Sequence, residues 1–193
     1  TCRKIIDDGW IGEPRAATAF FTSRGNERWH AHVDHFYAPG GGPMLDVGPY
    51  LFSALISWFG PVSRVSASTR RFTDTRVRGR EFAGAREVPV QVSTHAAGTV
   101  DFASGAIVTV ITSWEMWTSS LPYIEIYGSE GVLSTPDPNL FTGSPRLRRG
   151  ERQDLSDKPY RPFGGDWRDV PMAFSGDVGR AVGIAEMADA IQT

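Results

Sequence analysis

Two runs rich in β-branched residues, 88–102 and 106–114, are separated only by Ala103-Ser104-Gly105. A link that short reverses the chain at once. The two runs therefore pair antiparallel, with side chains alternating between the two faces of a sheet. Residues 16–22, 62–72, 122–127 and 131–133 carry the same strand signature, the last two joined around Gly128-Ser129-Glu130-Gly131. The charged stretch 73–86 predicts a loop. The Pro-, Gly- and Arg-rich stretch 136–171 predicts a surface path with a short strand near 146–149. Together these elements predict an α+β fold: an open-faced, predominantly antiparallel sheet with helices packed on one face. Apolar residues fall on both sides of the central strands in places, at Val90, Val92, Val108, Val110 and Ile111. The second face then needs cover, from a partner chain or from the terminal loop segment.

Helical signals are fewer. Leu51, Phe52, Leu55, Ile56 and Phe59 recur at helical spacing before a stop at Gly60-Pro61, which predicts a helix over 46–59. Pro49 constrains its start. A helix beginning at Pro43 has Pro49 inside it, where the missing N–H breaks the hydrogen-bond ladder. With Asp46 as N-cap, Pro49 falls at N3, where no N–H is needed. The second arrangement is the expected one. Another amphipathic helix is expected over 177–191. The chain opens on what looks like the end of a helix stopped at Gly9, and its last helix has no stop signal. The expectation is a single domain over 1–193, cut at both ends from a longer protein.

Basic and acidic side chains number 20 and 22 and are scattered, which gives no footprint for nucleic acid or a membrane surface. No apolar run approaches the roughly 20 residues that span a bilayer. The densest basic cluster, Arg70, Arg71, Arg76, Arg78 and Arg80, reads as a solvated strand end or loop in preference to a phosphate site. A single cysteine, Cys2, leaves no internal disulfide. It fits a reducing compartment, so the expected location is cytoplasmic.

The most site-like stretch is 39–50, Pro-Gly-Gly-Gly-Pro-Met-Leu-Asp-Val-Gly-Pro-Tyr. Three glycines without Cβ atoms let something approach the backbone closely. Asp46 and Tyr50, four apart on a helix, would share a face. Each also has a structural use, Asp46 as a cap and Tyr50 at a core edge, and capping does not exclude function. The glycines do not form G-x-G-x-x-G, so no dinucleotide fingerprint is present. The long loop 23–43 carries Trp29, His30, His32 and His35, and loops of this length are often functional. The histidine spacing fits no familiar zinc pattern, and no metal site is expected.

Three stretches together carry a family resemblance: residues 40–50, the strand Thr94-His95-Ala96-Ala97-Gly98, and residues 123–131, Tyr-Ile-Glu-Ile-Tyr-Gly-Ser-Glu-Gly. They resemble the C-terminal domain of the Gfo/Idh/MocA oxidoreductases, over nearly the whole chain. The run Ser134-Thr135-Pro136-Asp137-Pro138-Asn139 resembles a branch of sugar-dehydrogenase-like members. The resemblance implies a two-domain enzyme whose N-terminal Rossmann domain binds NAD or NADP. Its C-terminal α+β domain would hold most substrate contacts and associate with another copy through the sheet. It further implies that this fragment alone binds no nucleotide and is inactive.

By resemblance, the family's central acidic residue falls on Asp46 and its proton-handling histidine falls on Tyr50. That departure matters, because a phenol with a reference pKa near 10 is a poor base at neutral pH. His95 and His30 become candidates to replace it, and His32, His35 and Trp117 are weaker candidates for the site. Trp29 suits stacking on a sugar ring, and Gly41 and Gly42 suit close approach of substrate. The implied activity is oxidation of a secondary hydroxyl of a sugar, cyclitol or polyol by hydride transfer. The alternative is a noncatalytic sugar-binding or dimerisation module derived from such an enzyme.

Overall fold

The computed structural model describes residues 1–79, 84–140, 142–150, 165–172 and 182–192. A short helix α1 (Cys2–Asp7) leads into β1 (Pro14–Thr22) and then a 3₁₀ turn at Asn26–Arg28. Three helices follow: α2 (Asp34–Tyr37), α3 (Pro43–Asp46) and α4 (Gly48–Phe59). The remaining strands are β2 (Val62–Arg70), β3 (Thr75–Arg78), β4 (Arg86–Pro89), β5 (His95–Phe102), β6 (Ile107–Ser113), β7 (Ile124–Gly128), β8 (Gly131–Thr135), β9 (Arg146–Arg149) and β10 (Arg168–Asp169). Helix α5 (Val182–Gln192) comes last; the expected start of that helix, at 177, lies outside the described residues.

Eight strands form one sheet in the order β10-β9-β8-β7-β1-β6-β5-β2. Only the β1–β6 pair is parallel; the other neighbours run antiparallel. The α+β, predominantly antiparallel architecture is thus as expected. Its inner face is built around small residues of the central strand. Ala17 pairs with Val108 on one side and Ile126 on the other, and Ala19 with Val110 and Ile124, all of them buried. Leu51, Leu55 and Phe59 of α4, one helical turn apart, close over this face together with Ile5 and Ile6 of α1. Phe59 meets Phe102 with ring centroids 5.2 Å apart.

The outer face differs from the sequence expectation. Strand alternation and register align Ser66, Thr99, Thr109, Thr18, Glu125, Ser134 and Arg146 in one polar row across seven strands. Val108 and Val110 point into the helix layer instead, leaving Ile111 on the open side. Val90 and Val92 are not in the large sheet at all. The run 88–102 splits into β4 and β5 because Pro89 has no N–H for the ladder and the following amides bond elsewhere. Val90 N–H donates to Asp74 O, and Gln91 N–H to Tyr37 O, each at 2.8 Å. The charged stretch expected as a loop holds β3, which pairs with β4 in a separate ribbon. Val88 and Val90 join Val33, Tyr37 and Trp114 in a second small core beneath that ribbon. No helix among the described residues is long and apolar enough to cross a membrane.

Candidate functional site

The stretch 43–59 does not form the helix capped by Asp46 that its sequence suggests. Gly42, at φ 96°, precedes Pro43 at the start of α3, and Val47 both ends α3 and caps α4. Pro49 is the cause. It has no N–H to offer Leu45 O, so the ladder lapses at Val47 and restarts with Pro49 in the first turn of α4. The chain therefore helixes from Pro43 and breaks, where the sequence offered these as alternatives. Asp46 ends the short helix with its side chain free of capping duty. Tyr50, half-buried, lies across the break on α4.

The glycines ahead of Pro43 approach their own chain. A Cβ on Gly41 would collide with the carbonyls of His35 and Phe36. On Gly42 it would come within 3.0 Å of Ser93 O, while at Gly40 the space is open. Gly42 N–H donates to Phe36 O at 2.8 Å, which ties the glycine turn to α2.

Asp46 meets a residue that sequence reasoning passed over. Asn26 Nδ2 donates to Asp46 Oδ2 at 3.4 Å, and Oδ1 has no hydrogen bond among the described residues. Asn26 is buried, and beside it the buried Glu27 starts a network that holds the whole loop down. Tyr37 donates its phenol to Glu27 Oε2, and Arg76 donates to Oε1 at 3.0 Å. The same guanidinium reaches Glu115 at 2.8 Å and donates to the backbone oxygens of Arg24 and Trp114, both at 3.0 Å. Thr94 closes the far side by donating to Glu115 Oε1. Arg76 is thus no solvated strand end. With 14% of its side chain exposed, it sits between two carboxylates. Burial works against its charge, but Glu27 and Glu115 prevail and raise its proton affinity. Burial first, then the bond to Glu27, pushes the Tyr37 phenol far above its ordinary value.

The other expected site residues fall into two groups. Trp29, exposed, packs edge-on against His30 at 5.2 Å, and His30 in turn contacts His35 and Phe36. His30 Nδ1 accepts from the His32 amide at 3.1 Å, which puts the proton of the neutral ring on Nε2. His95 is elsewhere, at the start of β5, with Nδ1 3.0 Å from Ser113 Oγ and its ring against Phe72. No hydrogen bond or ring contact among the described residues joins His95 to His30 or Asp46. The clustered histidines stack on one another, and no set of three or more His, Cys, Asp or Glu among the described residues converges as for a metal.

A model of the GFO/IDH/MocA C-terminal domain matches residues 1–134, more than half of the chain. The chain belongs to this family. Solved structures share the fold of this GFO/IDH/MocA domain. An NAD binding oxidoreductase from Klebsiella pneumoniae, 21% identical, aligns at a TM-score of 0.61 over 98% of this chain and 52% of its own. Levoglucosan dehydrogenase in complex with NADH and L-sorbose, 17% identical, gives 0.65 over 97% and 50%. A super-repressor mutant of Gal80p from Saccharomyces cerevisiae, 15% identical, gives 0.59 over 75% and 41%. The chain spans about half the length, or less, of each. At these identities the likeness is one of fold. No curated protein matches the sequence.

The raised Tyr37 fixes a pH signature. A phenol with a higher pKa in the folded state stabilises the fold fully below its unfolded value, near pH 10, and loses that contribution as pH rises through the folded value. In an alkaline titration followed by phenolate absorbance, Tyr37→Phe should remove one phenol's amplitude from above the ordinary phenol range. It should also cost about 1–3 kcal/mol in denaturant unfolding, because Glu27 Oε2 loses its donor. Loss of that amplitude from the ordinary range instead would contradict the raised Tyr37.

Proposed function

We propose that this chain supplies the substrate side of an NAD(P)-dependent dehydrogenase that oxidises a secondary hydroxyl of a sugar or polyol. The observation that carries the reading is Asp46 at the helix break, a residue that by sequence resemblance corresponds to the family's acidic one. One of its oxygens is held by Asn26 and the other has no partner among the described residues. A carboxylate fixed in that way accepts a hydrogen bond from a substrate hydroxyl and orients it. Tyr50 lies one turn further on, and Trp29 and His30 offer an aromatic edge for a sugar ring. In this reading Tyr50 handles the proton with the help of a neighbouring group.

The described residues do not themselves fit a dinucleotide. Gly41 and Gly42 close on their own chain and leave no cradle for a pyrophosphate, and the one parallel strand pair, β1 and β6, lacks a fingerprint turn. In this reading NAD or NADP, which would supply the hydride acceptor, is held by sequence beyond these 193 residues. The fragment alone then has no turnover, and the complete protein works in the cytoplasm.

A second reading has its own support. By sequence resemblance Tyr50 replaces the family's histidine, and the fold is shared with a Gal80p super-repressor. That reading makes the domain a noncatalytic sugar-binding or dimerisation module. Assaying the full-length protein with a polyol panel and both cofactors separates the two. Under the dehydrogenase reading, Asp46→Asn lowers kcat/KM about a hundredfold and Tyr50→Phe at least about tenfold. Both variants within a few-fold of wild type would contradict the site assignment. Calorimetric polyol binding without turnover would favour the module.

The same reading includes association of two copies through the open face, whose polar row suits a hydrated interface. Thr109, exposed next to the central Thr18 of that row, is the place to test it. Thr109→Arg should shift the protein towards monomer in small-angle scattering. A strict monomer before substitution, or an oligomer indifferent to it, would rule out that face.

A further inference from the structure

Beside the Arg76 bridge lies a cleft of about 500 Å³ that the hydride-transfer reading leaves unused, with Arg24, Arg28, Arg76, Glu115 and Trp117 on its walls. Its volume is in the range of small-molecule sites. Its charges do not cancel. The two carboxylates that line it, Glu27 and Glu115, are both taken by Arg76. Arg24 and Arg28 make no ion pair among the described residues and instead share one aromatic ring. Arg24 stacks over Trp117, and Arg28 lies 5.7 Å from the same indole. Partial desolvation and then the adjacent Arg28 charge lower the proton affinity of Arg24, and the Glu27 charge offsets them only in part. A ring quadrupole attracts cations but supplies no counter-charge.

The wall behind is also short of acceptors. Trp114 is fully buried, and among the described residues neither its Nε1–H nor the Nε–H of Arg76 has a hydrogen-bond partner. Buried donors without acceptors are rare in native proteins, and two in one wall add to its positive potential. Three guanidiniums against two carboxylates leave one net positive charge, which a neutral polyol would not compensate. A planar oxyanion matches their forked donors.

We propose that this cleft binds a small molecule through a carboxylate or phosphate group, held by Arg24 and Arg28 on the Trp117 platform. The inference does not depend on hydride transfer at Asp46. Arginine stays charged at every accessible pH. Binding of a carboxylate is therefore flat above about pH 5, while binding of a phosphate strengthens as its second proton leaves at about pH 6–7.

Calorimetric titration of the protein at low ionic strength with inorganic phosphate, succinate and glycerol tests the proposal. One or both oxyanions should saturate the site in the low-millimolar range or tighter, and glycerol should not. Phosphate alone would identify a phosphorylated ligand, and succinate alone a carboxylate. Arg28→Gln should weaken binding about tenfold or more, with the circular dichroism unchanged. Arg15→Gln, the same charge change on β1 outside the cleft, should have no effect. Failure of both oxyanions to saturate by about 10 mM would overturn the proposal, as would equal losses in Arg28→Gln and Arg15→Gln.

Discussion

One buried guanidinium holds the site half of this domain together. Arg76 connects Glu27 of the long loop to Glu115 beyond β6, and the same two terminal nitrogens also donate to the backbone oxygens of Arg24 and Trp114. Two charges of one sign lie around a single charge of the other, at low exposure. That arrangement is sustained only while every member keeps its partner. Breaking such a bridge leaves a carboxylate uncompensated, at a cost of about 3–5 kcal/mol. The consequences spread because Glu27 is flanked by Asn26, which holds Asp46, and is bonded to Tyr37 of α2, whose neighbour Phe36 accepts from Gly42. Loop, glycine turn and helix break are thus tied to the same anchor.

The sheet provides the rigid background against which this anchor works. Small residues in β1 let α4 settle over the inner face, and β5 and β6 deliver Thr94 and Ser113 to the same end of the sheet. Asp46 therefore sits on irregular backbone supported by regular structure, where precise positioning does not require a long helix. Asp46 is held in place through Asn26 and the Arg76 network, and not through a helix cap.

What the sequence reveals follows the range of the interaction. Helix α4 and the β5–β6 hairpin are legible because their signals are local: apolar spacing over a dozen residues and a three-residue turn. Pro49 is half legible. Its missing N–H announces a break, but whether the chain helixes before that break depends on Gly42 and its docking on α2. The glycines announce a close approach without saying to what, and the partner at Gly41 is the loop's own backbone. Arg76 is illegible. It looks like one more member of a basic run, because its carboxylate partner at Glu27 is 49 positions away. Asn26 likewise sits in a polar loop with nothing local to single it out, and Asp46 is 20 positions distant.

Native-state hydrogen exchange on an Arg76→Met variant tests the anchoring role most directly. The amides of Trp29 and His30, which donate to Asn26 O, and that of Asp46, which donates to Gly42 O, report the loop and the helix break. If Arg76 holds them through Glu27, their protection falls together by about two orders of magnitude or more, while the amides of β1 and β6 keep theirs. Unchanged protection at those three amides would show that the loop and Asp46 are held independently of the buried bridge.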